Sequence, residues 1–109
     1  MRTYERLGGE ATSVGGMVAA LAEDADKGTY RFAAVGHYSA STSPMPHGWE
    51  MLLTHYGTPI LRVYQEHGER RSSIAPEWWG SRTDMAAIAK AHRALGMRLS
   101  IRRGELVRY

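Results

Sequence analysis

One stretch constrains the fold of this 109-residue chain more than any other, and it runs from Trp49 to Asp84 as WEMLLTHYGTPILRVYQEHGERRSSIAPEWWGSRTD. It holds most of the strand-forming residues, all three Trp residues and two of the four Pro residues. Strand-forming runs bounded by Gly and Pro turn signals are typical of hairpins. The stretch therefore predicts a hairpin that feeds a helix, with the rest of the chain packed around it.

Two turn signals divide this stretch. Glu66-His67-Gly68 predicts a hairpin turn, with 69–74 returning as an antiparallel strand. Gly57-Thr58-Pro59 fits either a hairpin turn or a bend within one long strand. We favour the bend, because Pro59 removes a ladder donor at one position only and can lie at a sheet edge.

The apolar residues of two segments recur at helical spacing. In the first segment they follow the i, i+3, i+4, i+7 series and predict a helix over about 13–26, capped by a hydroxyl residue. In the second, Ser81 and Asp84 resemble a capping box, and the apolar face that follows predicts a helix over about 82–95. The two faces consist of Val14, Met17, Val18, Leu21, Ala22 and Ala25, and of Met85, Ile88, Ala89, His92 and Leu95.

Strand signals elsewhere in the chain are weaker. Residues 29–38 are rich in β-formers and predict a strand, whereas the hydroxyls and Pro residues of 39–48 predict a surface loop. Residues 97–103 alternate between apolar and mostly basic side chains, which predicts a half-buried strand with 105–109 pairing back.

Together these elements predict a single α+β domain spanning 1–109. We expect an antiparallel sheet of four or five strands covered by two helices, about 13–26 and 82–95. The length fits one domain with one modest core. Residues 1–12 mix charge with a Gly pair and show no sustained period, so we expect a loose N-terminal arm there.

Residue types and their spacing argue against most catalytic chemistry. The absence of Cys removes disulfides, thiolate zinc sites and cysteine nucleophiles. The five His residues form no HExxH motif and no i, i+4 pair, so a metal site would have to be assembled by folding alone. No GxSxG, GxxxxGK[ST] or GxGxxG motif is present. We therefore predict no catalytic residue, no metal site and no cofactor, and a protein that is not an enzyme.

Two groups of residues are candidates for binding. Residues 59–109 carry ten basic residues against five acidic ones, which predicts either a basic binding face or a solvated face that keeps the sheet soluble. Adjacent side chains of an extended segment point to opposite sides, so one indole of the Trp pair is expected at the surface unless both pack internally. An exposed Trp is a frequent binding hot spot. The candidates are Trp78, Trp79, Arg70, Arg71, Arg98, Arg102 and Arg103.

The N-terminal region and the hydropathy of the chain bear on its location. Glu5, Glu10 and the Gly15-Gly16 pair interrupt the apolar core that a signal peptide needs. No run approaches the roughly 20 apolar residues of a membrane span. We therefore expect a cytoplasmic protein with no membrane partner.

The segment Tyr56-Gly57-Thr58-Pro59-Ile60, followed by a turn at Gly68 and by an aromatic residue and Ser81-x-Thr83 before a helix, resembles small orphan proteins of actinobacterial tailed phages. In that family a Ser-Tyr-Ser/Gly-Thr-Pro-Ile segment precedes a Tyr-Ser-x-Thr-Thr element. The resemblance covers Trp49 to Ala87 and implies a bend at Pro59 and a phage or prophage origin in a GC-rich host. The family has no function to carry over.

The leading hypothesis from the sequence is a small non-enzymatic interaction protein, a phage accessory factor that binds and modulates a host protein. The Trp pair would carry this contact. The alternative is a nucleic-acid-binding module that uses the Arg-rich second half. In that case neighbouring strands would bring the guanidinium groups onto one sheet face with aromatic rings between them.

Overall fold

The computed structural model describes residues 13–75, 82–97, 99–102 and 105–108. The predicted N-terminal arm and the predicted cap Ser81 lie outside these residues. The elements in chain order are α1 (Val14–Asp26), β1 (Phe32–Val35), β2 (Tyr38–Met45), β3 (Gly48–His55), β4 (Thr58–Glu66), β5 (Glu69–Ile74), α2 (Arg82–Ala94), β6 (Leu99–Arg102) and β7 (Glu105–Arg108).

Five strands form one antiparallel sheet in the order β1-β2-β3-β4-β5, and β6 and β7 pair in a separate two-stranded sheet. Two-residue turns join the neighbouring strands of the larger sheet, so the chain meanders from one edge to the other. With the two helices, this architecture confirms the predicted α+β fold. Within the described ranges, no helix is long and apolar enough to cross a bilayer.

Helix α1 begins where predicted, because the Ser13 hydroxyl accepts a hydrogen bond from the Gly16 N–H at 3.1 Å. The last turn of α1 carries three acidic residues, which the negative end of the helix dipole disfavours. A basic partner for each of them offsets this cost. The pairs are Glu23 with Lys27 at 3.6 Å, Asp24 with Arg31 at 3.3 Å and Asp26 with Arg70 at 3.1 Å.

Both helices pack on the same face of the five-stranded sheet. Alternate strand residues point to this face, and Ala40, Leu53 and Leu61 form one buried cross-strand row. The helices also pack on each other, and a Cβ added to Gly15 would meet the Ala94 Cβ at an ordinary 3.8 Å. The buried residues of α1 and α2 are Met17, Val18, Leu21, Ala22 and Ala25, and Asp84, Ala87, Ile88, Ala91 and His92.

The predicted surface loop at 39–48 is wrong, because most of it forms β2 and the turn to β3. Ala40 and Thr42 are buried and the hydroxyl residue between them points outward, as in any strand. The Thr42 N–H points towards β1, where it donates to the Arg31 carbonyl at 2.9 Å. Two residues on, Pro44 points the same way but lies beyond the start of β1, so no ladder donor is needed there.

The other sequence-predicted elements lie close to their expected positions. The strand predicted at 29–38 is shorter, because Gly36, with a φ of 61°, starts the turn that separates β1 from β2. The hairpin of β4 and β5 turns at His67 and Gly68, as predicted. Helix α2 and the hairpin of β6 and β7 are also confirmed.

The favoured bend at Gly57-Thr58-Pro59 is wrong, and the alternative of a hairpin turn is present. The two turn residues are Tyr56 and Gly57, so the turn begins one residue before the Gly57-Thr58-Pro59 signal. Both have positive φ, 53° and 81°, as a type I′ turn requires.

Pro59 lies within β4 next to a β-bulge. Leu53 pairs with Leu61 and the next residue of β3 pairs with Pro59, so Ile60 is the extra residue. The bulge lets Ile60 and Leu61, which are consecutive, both face the core at 1% exposure. Pro59 therefore lies at an irregularity inside a strand and not in the turn. The turn precedes it and depends on the positive φ that Gly57 adopts readily.

Candidate functional site

The meander gives the five-stranded sheet two ends, and two turns meet at each of them. Asp84 of α2 contacts the first end, and Asp26 of α1 contacts the second. We call them the Asp84 end and the Asp26 end. Their turns are 36–37 and 56–57 at the Asp84 end, and 46–47 and 67–68 at the Asp26 end.

At the Asp84 end, one buried carboxylate binds two rings. Asp84 is 4% exposed, and its Oδ1 accepts a hydrogen bond from the Tyr38 hydroxyl at 3.0 Å and lies 2.8 Å from His55 Nδ1. Its place in the first turn of α2 also favours a negative charge. Because Nδ1 lies against Asp84, the Nε2 edge of the His55 ring points away from the carboxylate.

Four aromatic rings form a continuous row across the two turns of this end, with two stacked contacts and one contact, between His55 and Tyr56, tilted by 41°. The centroids of His37 and Tyr56 lie 4.2 Å apart, those of Tyr56 and His55 4.7 Å, and those of His55 and Tyr38 4.2 Å. The Tyr56 N–H donates to the His37 carbonyl at 2.8 Å, which ties the two turns together. We call these four residues the ring column.

Tyr56 is the most exposed large apolar residue of the described chain, at 69%. Its φ of 53° lies in the left-handed region, where most residues other than Gly cost about 1 to 2 kcal/mol. Turns of this type favour Asn at this position. The Tyr56 ring is therefore present despite its backbone, and an exposed aromatic residue in strained backbone is a candidate binding residue.

Burial raises the pKa of Tyr38 to about 12, and the hydrogen bond to Asp84 and the negative charge of Asp84 contribute in the same direction. The hydroxyl therefore stays protonated across the physiological pH range, and its O–H donates a hydrogen bond to Asp84. The phenol acts as a fixed donor that orients the carboxylate.

His55 and Asp84 are arranged like the base and the orienting carboxylate of a hydrolase. Within the described residues, however, no hydroxyl makes a hydrogen bond to His55 Nε2. Ser39 bonds to Thr54 on the outer face of the sheet, whereas His55, one residue further along β3, faces the helices. The described part of the Asp84 end is a surface of aromatic rings supported by a buried carboxylate.

At the Asp26 end, the carboxylate binds an indole and a guanidinium group. Asp26 accepts hydrogen bonds from Trp49 Nε1 at 2.9 Å and from Arg70 Nη2 at 3.1 Å. Arg70 also donates to Gln65 Oε1 at 2.7 Å and to the Leu95 carbonyl at 2.9 Å, and its guanidinium lies 5.8 Å from the Trp49 ring centroid. Arg70 thus links α1 and β4 to the C-terminal end of α2.

The two turns of the Asp26 end also bring two histidines together. His47 and His67 are both exposed, with ring centroids 4.5 Å apart and ring planes 28° from parallel. The His67 N–H donates to the His47 carbonyl at 3.2 Å, and the φ of His67 is 52°. We call His47 and His67 the histidine pair. Among the described residues, no three or more His, Cys, Asp or Glu side chains are grouped so that they could hold a metal ion.

One histidine belongs to the core. His92 is 1% exposed, its Nε2 lies 2.8 Å from the Ser72 hydroxyl, and its Nδ1 has no hydrogen-bond partner among the described residues. Desolvation by burial lowers the pKa of His92. We assign the proton to Nε2, since Nδ1 then buries a lone pair instead of an unpaired N–H.

The binding residues predicted from the sequence lie in different parts of the fold. Arg70 is half-buried in the contacts of the Asp26 end, whereas Arg71 is exposed on the opposite face and pairs with Glu69 at 3.3 Å. Arg102 lies in β6, so it does not share a sheet with the other two. Trp78, Trp79, Arg98 and Arg103 lie outside the described residues.

Sequence reasoning missed the ring column and the histidine pair, because spacing along the chain does not show which turns meet. A usable signal was present in the repeated pairing of a ring with Gly, at Gly36-His37, Tyr56-Gly57 and His67-Gly68. In a meander every second turn lies at the same end of the sheet, so rings in such turns come together. Because 39–48 was predicted to be a loop, the turn at 46–47 was not identified, and the order of the turns along the sheet could not be deduced.

Comparison with known proteins provides no relative: no family model, no curated protein and no solved structure matches this chain. The two ends of the five-stranded sheet are therefore the features that bear on function.

Proposed function

We propose that this chain is a small non-enzymatic interaction protein that binds a partner protein at the Asp84 end. The observation that carries the proposal is the exposed Tyr56 ring, held in left-handed backbone within the ring column. Tyr, Trp and Arg are enriched among the residues that dominate binding energies. A partner would bury the exposed surface of the Tyr56 ring. Such a contact would explain why a tyrosine occupies a strained position that the turn alone would fill better with Asn.

The support beneath Tyr56 is already in a fixed arrangement. Asp84 accepts a hydrogen bond from Tyr38 and contacts His55 Nδ1 at 2.8 Å, and the backbone bond to His37 holds Tyr56 against the neighbouring turn. A partner would therefore have few side chains to order on binding, which lowers the entropic cost of association. His55 Nε2 would add one directional polar group beside the rings.

We further propose that the partner is a host protein, and that the chain is an accessory factor of an actinobacterial tailed phage that modulates it in the host cytoplasm. The support is the resemblance of the segment beginning at Tyr56 to small proteins of such phages. Tyr56, on which the binding proposal rests, is the first residue of that segment.

The alternative, a nucleic-acid-binding module, has less support from the described arginines. Four of them already lie 3.1 to 3.4 Å from a carboxylate, so a phosphate would have to displace an existing partner. These pairs are Arg31 with Asp24, Arg62 with Glu50, Arg70 with Asp26 and Arg71 with Glu69. Retention on heparin or random DNA that falls steeply with salt would favour this alternative, and no retention at low salt would exclude it.

The test of the interaction proposal replaces Tyr56 with Asn, which suits a type I′ turn and removes the ring. His67→Asn is the matched control, because it makes the corresponding change in the equivalent turn position at the Asp26 end. A host protein captured from an actinobacterial lysate is purified and titrated with each variant. We expect Tyr56→Asn to weaken binding by roughly tenfold or more, as for a hot spot, and His67→Asn to leave it unchanged.

Two further measurements make the outcome unambiguous. Thermal unfolding should show that both Asn variants remain folded, because Asn relieves the backbone strain at either position. Trp78→Ala and Trp79→Ala in the same titration test the Trp pair separately. A captured protein that binds the wild type and Tyr56→Asn equally well would overturn the assignment of the contact to the Asp84 end.

A further inference from the structure

The Asp26 end presents a site of a different chemical kind. We propose that His47 and His67 form a two-ligand chelate for a borderline divalent transition-metal ion, namely Cu²⁺, Ni²⁺ or Zn²⁺. The proposal rests on two exposed imidazoles that the fold brings face to face from turns far apart in the sequence. Imidazole nitrogen is a preferred ligand of these ions, whereas Ca²⁺ and Mg²⁺ prefer oxygen.

The fold holds the two rings within reach of a single ion. A metal bound to two imidazoles at about 2.0 to 2.1 Å from each nitrogen requires the two nitrogens to lie about 3 Å apart. The ring centroids are 4.5 Å apart and the planes are 28° from parallel. Stacked rings direct their nitrogen lone pairs nearly parallel, so the two rings would have to unstack and turn about their side-chain bonds until one nitrogen of each points at a shared ion. Both histidines are exposed, which leaves their side chains room for this change of rotamer.

The backbone beneath the histidine pair is already fixed. The hydrogen bond from the His67 N–H to the His47 carbonyl holds the two turns together. Pro46 immediately precedes His47, and its ring fixes its own φ. The ion would therefore have to order only two short side chains, which favours a chelate over binding to single imidazoles. His67 also occupies a left-handed position that Asn would fill at less cost, so its ring is retained despite the turn.

The other three histidines are not arranged for chelation. His37 stacks on Tyr56, His55 uses Nδ1 to bind Asp84, and His92 is buried in the core. Because no third protein ligand stands beside the histidine pair among the described residues, water would complete the coordination. The site should accordingly follow the order of imidazole affinities, with Cu²⁺ bound more tightly than Ni²⁺ or Zn²⁺.

The experiment titrates the untagged full chain with Cu²⁺, Ni²⁺ and Zn²⁺, and follows heat and the NMR signals of the histidine rings. The variants are His67→Asn, which suits its turn, and His47→Gln, which keeps a polar side chain. His37→Gln is the matched control, because His37 is an exposed turn histidine stacked on a tyrosine. We expect one ion per wild-type chain, an affinity lower by on the order of tenfold or more in either pair variant, and no change in the control.

The ring signals should identify His47 and His67 as the residues that shift. Thermal unfolding with added Zn²⁺ gives an independent readout, because an ion bound by the folded chain alone raises the unfolding temperature. That increase should disappear in His67→Asn and persist in Tyr56→Asn. Equal affinity in the wild type and His67→Asn, or an equal loss in His37→Gln, would overturn the chelate.

Discussion

The two ends of the five-stranded sheet follow one plan and differ in the groups that complete it. At each end two turns are tied by a backbone hydrogen bond, two rings stack across the turns, and an aspartate from a helix binds two side chains. Asp26 binds an indole and a guanidinium, whereas Asp84 binds a phenol and an imidazole. The first set includes a charged donor with several N–H groups, whereas the phenol of the second set is a neutral donor with a single O–H.

This difference separates the roles of the two ends. Arg70 donates to α1, to β4 and to Leu95, the residue that follows α2, so the contacts of the Asp26 end serve mainly to hold the fold together. Asp84 contacts two rings that are partly open to solvent, so these contacts serve to orient a surface. The outermost rings differ as well, since one end presents a tyrosine suited to a protein contact and the other presents two imidazoles suited to a metal ion.

The largest expected effect tests the structural role of the Asp26 end. Arg70→Ala should lower the free energy of unfolding by about 2 to 3 kcal/mol, because it removes a charged donor to three different partners. Arg71→Ala, in the next residue, removes only an exposed pair with Glu69 and should cost less than about 0.5 kcal/mol. Urea unfolding of the two variants makes the measurement. Similar costs for both would show that Arg70 does not act as a tie.

Particular residues show how far the sequence predicts this molecule. Local signals sufficed for α1 and α2, because apolar periodicity and capping depend on residues within a few positions of each other. They failed at Pro44, where tolerance of a proline depends on β1 being shorter than β2, which no residue near Pro44 encodes. The contacts of Asp26 and Asp84 were out of reach for a similar reason, since each joins a helix to strands distant in the chain.

The second prediction concerns the core near the Asp26 end, where Ser72, two residues after Arg70 in β5, bonds to His92. The folded-state pKa of His92 is lowered, so below about pH 6.5 the unfolded chain binds a proton that the folded chain does not. Stability should therefore be fully present above this pH and fall as the pH decreases, by at most about 1.4 kcal/mol per pH unit from this residue. A proton on Nδ1 would place a charge and an unpaired N–H in the core.

Urea unfolding at several pH values between neutral and mildly acidic provides the measurement. His92→Gln should cost stability at neutral pH but show a shallower loss in acid than the wild type, because its side chain does not titrate. An unchanged slope in His92→Gln would assign the acid sensitivity to other groups and remove His92 from the account of the core.

The smallest expected effect tests the Asp84 end. Tyr38→Phe should cost about 1 kcal/mol, because it removes one hydrogen bond to Asp84. Tyr64→Phe is the matched control, since the Tyr64 hydroxyl makes no hydrogen bond to the described residues. An alkaline titration of phenolate absorbance should contain a component with a pKa of about 12 that Tyr38→Phe abolishes.

The sign of the pH dependence follows from that raised pKa. Below about pH 10 the phenol is neutral in both states, so its contribution to stability is fully present. Between about pH 10 and pH 12 the unfolded chain loses the proton and the folded chain keeps it, so stability falls until the folded-state pKa is passed. Asp84→Asn should move the high component back towards the ordinary tyrosine value, because the carboxylate supplies two of its three causes. A component that stays at about 12 in Asp84→Asn would attribute the shift to burial alone and would separate the ring column from the carboxylate that we hold responsible for its orientation.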